Sequence, residues 1–127
     1  MEELFKRLEK YFQNSDAKMT KDRYLNMCEQ LNQDPDPERM PPGIEDFPEI
    51  VLDAINTYNS LGDNVVADIG FVGKDYTSLP YYFEIYEVTN LEDKRTFLEI
   101  LNYLESRAIK HSQEQMKKER DKLKRKK

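Results

Sequence analysis

One cysteine, one histidine and no apolar run near the roughly 20 residues of a membrane span are the chain's main scarcities. Each excludes something. A lone Cys28 cannot form an intrachain disulfide, and its place on an apolar helical stripe marks it as a small buried hydrophobe. Thiol or histidine chemistry needs a partner base, and His111 lies far along the chain in a solvated, basic stretch. Met1–Leu8 is charged and lacks the apolar core of a secretory signal, so the expected compartment is the cytoplasm, with no membrane contact.

Charge is abundant and uneven. From Lys110 to Lys127 nine Lys/Arg stand against three Asp/Glu, a formal +6; the other 109 residues hold 11 basic and 22 acidic groups, a formal −11. A basic tail on an acidic body implies an anionic partner for that end, or a pairing of the two ends within screening range. At 127 residues the chain is the size of one domain. Residues 1–109 hold nearly all the large apolar groups and are expected to fold as a helical domain. Residues 110–127, with only Met116 and Leu123, form a basic extension, helical or partly disordered.

Apolar spacing predicts helices. Leu4, Phe5, Leu8, Tyr11 and Phe12 make one stripe, broken by Gln13–Asp16. Thr20 caps a second helix whose buried face is Tyr24, Met27, Cys28 and Leu31, ending before Pro35 and Pro37. A proline-rich connector with five carboxylates spans residues 32–46. Asp46 then caps a third helix with Phe47 and Pro48 in its first turn and an inner face of Phe47, Val51, Ala54, Ile55, Tyr58 and Leu61, closed by Gly62. Val65–Val72 is β-branched, but no second convincing strand stands beside it, so it reads as an ordered apolar loop or short helix. Ser78 or Thr77 opens a fourth helix with Pro80 in its first turn. Thr89 or Asn90 opens the last, with Phe97, Leu98, Leu101, Leu104 and Ala108 as its stripe. No Gly or Pro stops it before the basic tail. The expected fold is a mostly α, compact bundle of four to five helices with a proline-rich crossover and a long basic C-terminal helix.

Chemistry-bearing patterns are sparse. Glu84 and Glu87, three apart beside Tyr81, Tyr82 and Tyr86, could share a helical face for acid–base work, but a solvated helix edge explains them as well. Asp34, Asp36 and Glu38 alternate as in a calcium loop, and counting from Asp34 puts Glu45 in the twelfth place, yet prolines intervene and the required glycine is missing. Gly73-Lys74 lacks the spacing and the Ser/Thr of a phosphate loop. No catalytic residue, metal ligand or cofactor site is assigned, and the chain reads as a non-enzyme. Phe71, Tyr76, Tyr81 and Tyr82 are the candidate protein-binding surface. Lys117, Lys118, Arg120, Lys122, Lys124 and Arg125 are the candidate nucleic-acid contact, without an aromatic platform for stacked bases.

Pro41-Pro42, Asp46-Phe47-Pro48, Asn59-Ser60-Leu61-Gly62-Asp63, Gly73-Lys74-Asp75-Tyr76, Leu79-Pro80 and the Lys-rich end form a set. From Tyr24 onward, roughly the last 100 residues, the chain resembles small acidic proteins of T-even-like bacteriophages infecting cyanobacteria. That resemblance implies a virus-encoded accessory protein concerned with tail or baseplate assembly, and transfers no catalytic residue. The expected function is a protein–protein interaction module, an assembly factor or chaperone; the alternative is a small nucleic-acid-associated regulator using the tail.

Overall fold

The computed structural model describes residues 1–125, so Lys126 and Lys127 of the basic tail lie outside the described residues. The fold is mostly helical, with five α-helices, one 3-10 turn and one two-stranded sheet among those residues. The chain falls into two compact units, Met1–Pro48 and the part from Glu49 onward.

The first unit holds α1 (Glu2–Asp16), α2 (Lys21–Gln30) and the 3-10 turn Ile44–Asp46. Leu8 is fully buried on the expected stripe, flanked by half-buried Leu4, Phe5, Tyr11 and Phe12. The break expected at Gln13–Asp16 does not occur: α1 runs through all four. Polar residues alone do not end a helix; a left-handed residue does, and it comes at Lys18 (φ 59°). Lys18 N–H donates to Ser15 O and Met19 N–H to Asn14 O, the paired bonds of a Schellman cap. Asn32 closes α2 in the same way, with N–H bonds from Asn32 to Glu29 O and from Gln33 to Cys28 O.

Thr20 caps α2 as expected, its hydroxyl accepting from Arg23 N–H at 3.3 Å. The buried face is narrower than the stripe predicts. Cys28 is buried and Tyr24 half-buried, but Met27 and Leu31 are exposed. The connector returns over the Tyr24 edge, where Asp36 N–H donates to the Tyr24 hydroxyl at 3.1 Å, and leaves the other edge open. Asp46 does not cap α3. It ends the 3-10 turn, where its carboxylate accepts from Gly43 N–H at 2.9 Å, and α3 begins three residues later.

The second unit comprises α3 (Glu49–Ser60), β1 (Asp63–Val66), β2 (Gly70–Lys74), α4 (Leu79–Ile85) and α5 (Leu91–Arg125). Both α3 and β2 pack on α5. Val51, Ala54, Phe97, Ile100 and Leu101 are fully excluded from solvent, with Tyr58, Leu61, Leu79, Val88 and Leu104 nearly so. Phe97 meets Phe83 edge-on at 5.2 Å between ring centroids. Asn90 opens α5: its Oδ1 accepts from Asp93 N–H at 2.8 Å while its amide donates back to the Asp93 carboxylate.

Two expectations for this unit are corrected. Val65–Val72 is neither loop nor helix but most of an antiparallel hairpin, pairing Asp63 with Lys74, Asn64 with Gly73, Val65 with Phe71 and Val66 with Gly70. The register shift leaves Val72 as a bulge, and two glycines thin the second strand, so β2 lacks the period-two pattern that would have exposed it. Gly62 is not a left-handed helix terminus; the positive-φ glycines are Gly70 (93°) and Gly73 (135°).

Candidate functional site

The hairpin is too small to be stable alone, and α5 supplies what it lacks. Gly73 is the point of closest approach. A Cβ there would lie 2.7 Å from Glu105 Oε1, and that same oxygen accepts the Lys74 N–H at 2.7 Å. Seven residues further along the helix, Ser112 Oγ accepts from Phe71 N–H at 3.3 Å, beneath Gly70. Two helical turns thus pin one strand at two backbone amides.

Lys74 is almost wholly enclosed, with 11% of its side chain exposed. Its ammonium sits 2.6 Å from Asp63 Oδ1, donates to Leu61 O at 3.2 Å and lies 4.9 Å from the Tyr58 ring centre. A buried cation with a carboxylate, a carbonyl and an aromatic face is a satisfied structural group, as the cross-strand Asp63–Lys74 register requires. Burial, then the charges of Glu105 and Asp63, pushes the Tyr58 hydroxyl up to about 12. Burial beside Glu105 likewise raises Tyr76. Both phenols therefore stay protonated at neutral pH and offer no base.

Outside this cluster a cleft of about 390 Å³ opens, lined by Tyr58, Val65, Phe71, Lys74, Arg107 and His111 among others. Its walls carry two aromatic rings, Tyr58 and Phe71, the cations Lys74 and Arg107, and one carboxylate, Asp63.

The hairpin's outer surface is more unusual. Val65 is 69% exposed, Ile69 55%, Val66 44% and Val72 42%, four aliphatic side chains on eight consecutive residues. Every residue of β1 is exposed, and its edge away from β2 has no strand partner among the described residues. Unpaired strand edges with apolar side chains are normally avoided because they recruit other chains.

The four aromatic residues singled out in the sequence divide. Phe71 is half-buried in the cleft wall, and Tyr76 is half-buried with its hydroxyl enclosed. Tyr81 is 62% exposed on α4, edge-on to half-buried Tyr82 at 5.6 Å, with exposed Ile85 one turn on. Three of the four are thus half-buried, and Tyr81 alone of them is exposed. Sequence reasoning misses the aliphatic set Val65, Val66, Ile69 and Val72 as a surface, because a β-branched run without a visible strand partner reads as an ordered loop or short helix. The two carboxylates once placed on one helix face are separated by a cap: α4 stops at Ile85, and Glu87 takes the left-handed position (φ 55°). Its N–H bonds Glu84 O while Val88 N–H bonds Phe83 O.

The other sequence candidates have structural employment. Asp36 accepts from Glu38 N–H at 3.0 Å and faces Arg39, turning the connector. In the first unit Lys21 bridges Glu45 and Asp46 at 3.2 and 3.1 Å, and Arg7 lies over the Phe47 ring. Among the described residues no group of three His, Cys, Asp or Glu could hold a metal ion, and no helix is long and apolar enough to cross a membrane. The six basic candidates Lys117, Lys118, Arg120, Lys122, Lys124 and Arg125 are all exposed on the last turns of α5. Compared with known proteins, the chain matches no family model, no curated protein and no solved structure.

Proposed function

We propose that the chain is a non-enzymatic protein–protein interaction module whose contact surface is the free edge of β1 and the exposed aliphatic side chains of the β1–β2 hairpin. A partner's extended segment adds to β1 through main-chain hydrogen bonds, its alternating side chains meeting Val65 on the cleft side and Val66 on the other, the mode in which sheet edges take up peptides. The observation that carries this reading is the exposed aliphatic set on an unpaired edge. Tyr81, edge-on to Tyr82, is a second anchor of the type enriched at interfaces. The resemblance to phage accessory proteins extends the proposal to an assembly factor or chaperone for a tail or baseplate, working in the host cytoplasm.

The test compares proteins captured from the native host by the wild-type chain and by a Val65→Lys, Ile69→Lys double variant. Both positions are exposed, so stability is expected to change by no more than about 0.5 kcal/mol. At least one stoichiometric partner is expected to be lost from the variant while a tail-truncated chain retains it. Identical capture by all three chains refutes the assignment.

A further inference from the structure

The basic end of α5 is a different surface, and its order was not fixed by composition. It is helical to Arg125. Lys, Arg, Glu, Asp and Leu supply the whole segment from Lys117, mostly good helix formers, and the cations of the last turn complement the helix dipole. From Lys117 to Arg125 every residue is exposed. Glu119 and Asp121 stand within three or four residues of most of the cations, yet none of the six side chains has an ion-pair or hydrogen-bond partner among the described residues. Their charge faces outward uncompensated.

Helical geometry arranges that charge. At 3.6 residues per turn, Lys117, Arg120 and Lys124 fall in one narrow stripe, and Lys118, Lys122 and Arg125 in a second about 130° around the axis. Asp121 lies midway between the stripes, while Glu119 and Leu123 share the opposite side. Two parallel cationic rails with one short acceptor between them match a groove walled by phosphates on both sides.

We propose that Lys117–Arg125 binds B-form duplex DNA by lying in the major groove, each rail neutralising the phosphates of one strand. The major groove, about 12 Å wide, admits an α-helix. The deep, narrow major groove of A-form RNA does not. Single strands are bound on aromatic platforms, and the segment from Lys110 onward contains no Phe, Tyr or Trp. Asp121 is the one side chain between the rails able to meet base edges, and it is acceptor-only, so binding is dominated by phosphate contacts and only weakly selective. The formal −11 on the first 109 residues repels phosphate and confines DNA to the helix end.

Fluorescence anisotropy of the full chain with labelled 20-base-pair DNA, the matching RNA duplex and the single strand tests this. Six phosphate contacts predict a slope of log affinity against log salt of about −5, roughly a thousandfold loss between 50 and 200 mM. RNA duplex and single strand are expected to bind at least about tenfold more weakly than duplex DNA. The decisive variant is Glu119→Pro, which makes the tail more cationic but breaks its helix, compared with Glu119→Gln, which changes the charge alone. The proline variant is expected to bind DNA at least about tenfold more weakly than the glutamine variant, at an unchanged melting temperature. Equal binding by the two variants means an unstructured polycation and overturns the proposal. So does equal affinity for the three nucleic acids, or no DNA binding at 50 mM salt.

Discussion

Replacing Gly73 by alanine is expected to destabilise the protein by about 2–4 kcal/mol, an unusual cost for one added methyl group. Two effects combine. The φ of 135° lies where L residues are strained by about 1–3 kcal/mol. The new Cβ would also meet Glu105 Oε1 at 2.7 Å. Moving that carboxylate breaks its bond to Lys74 N–H, and a hydrogen bond to a charged group contributes about 1.5–3 kcal/mol. Part of the strain relaxes as the hairpin shifts, which keeps the total below the simple sum. Gly62→Ala is the internal control: nothing lies within 4 Å of its Cβ position and its φ is ordinary, so it is expected to be neutral or slightly stabilising. Chemical denaturation of both variants checks the contrast. Equal stabilities would mean that the strand does not sit on Glu105.

Phe97→Ala is expected to cost about 3–5 kcal/mol, a large part of the about 5–15 kcal/mol that holds a domain of this size together. The side chain is fully buried on the face of α5 that carries the core, and truncation also removes its edge-on contact with Phe83. Leu98, its neighbour in sequence, is 41% exposed, and Leu98→Ala is expected to cost under about 1 kcal/mol. Denaturant midpoints of the two variants measure the difference. A Leu98 loss as large as that at Phe97 would place the buried face of α5 on the wrong side.

Helical spacing made most of the architecture readable. The stripes on α1, α3 and α5 include Leu8, Val51, Ala54, Tyr58, Phe97, Leu101 and Leu104, all buried, but the α5 stripe also takes in Leu98, which is exposed. The Thr20 and Asn90 caps were legible because a short side chain accepting a backbone N–H is a local event. What was not legible depended on tertiary partners. Lys18 and Glu87 end their helices in the left-handed conformation although neither is glycine, so composition placed those ends poorly. The hairpin was hidden because β2 carries Gly70 and Gly73 for the sake of α5, and an absence of side chains cannot announce what fills the space. The same gap concealed the candidate binding surface. Val65, Val66 and Ile69 look like core until the hairpin shows all three exposed, Val65 at the rim of the cleft beside its cross-strand partner Phe71 and the other two outside its lining.

Residue-resolved amide hydrogen exchange at Lys74 bears most directly on the central claim, that α5 clamps the hairpin on its near half and leaves the far half as an exposed cationic rod. The Lys74 N–H, held by Glu105, is expected to be protected to the same degree as the buried turns around Leu101 and Leu104, and to lose that protection in Gly73→Ala. The amides of Lys117–Arg125 are expected to exchange much faster. A Lys74 amide exchanging as rapidly as those of the tail would contradict the account.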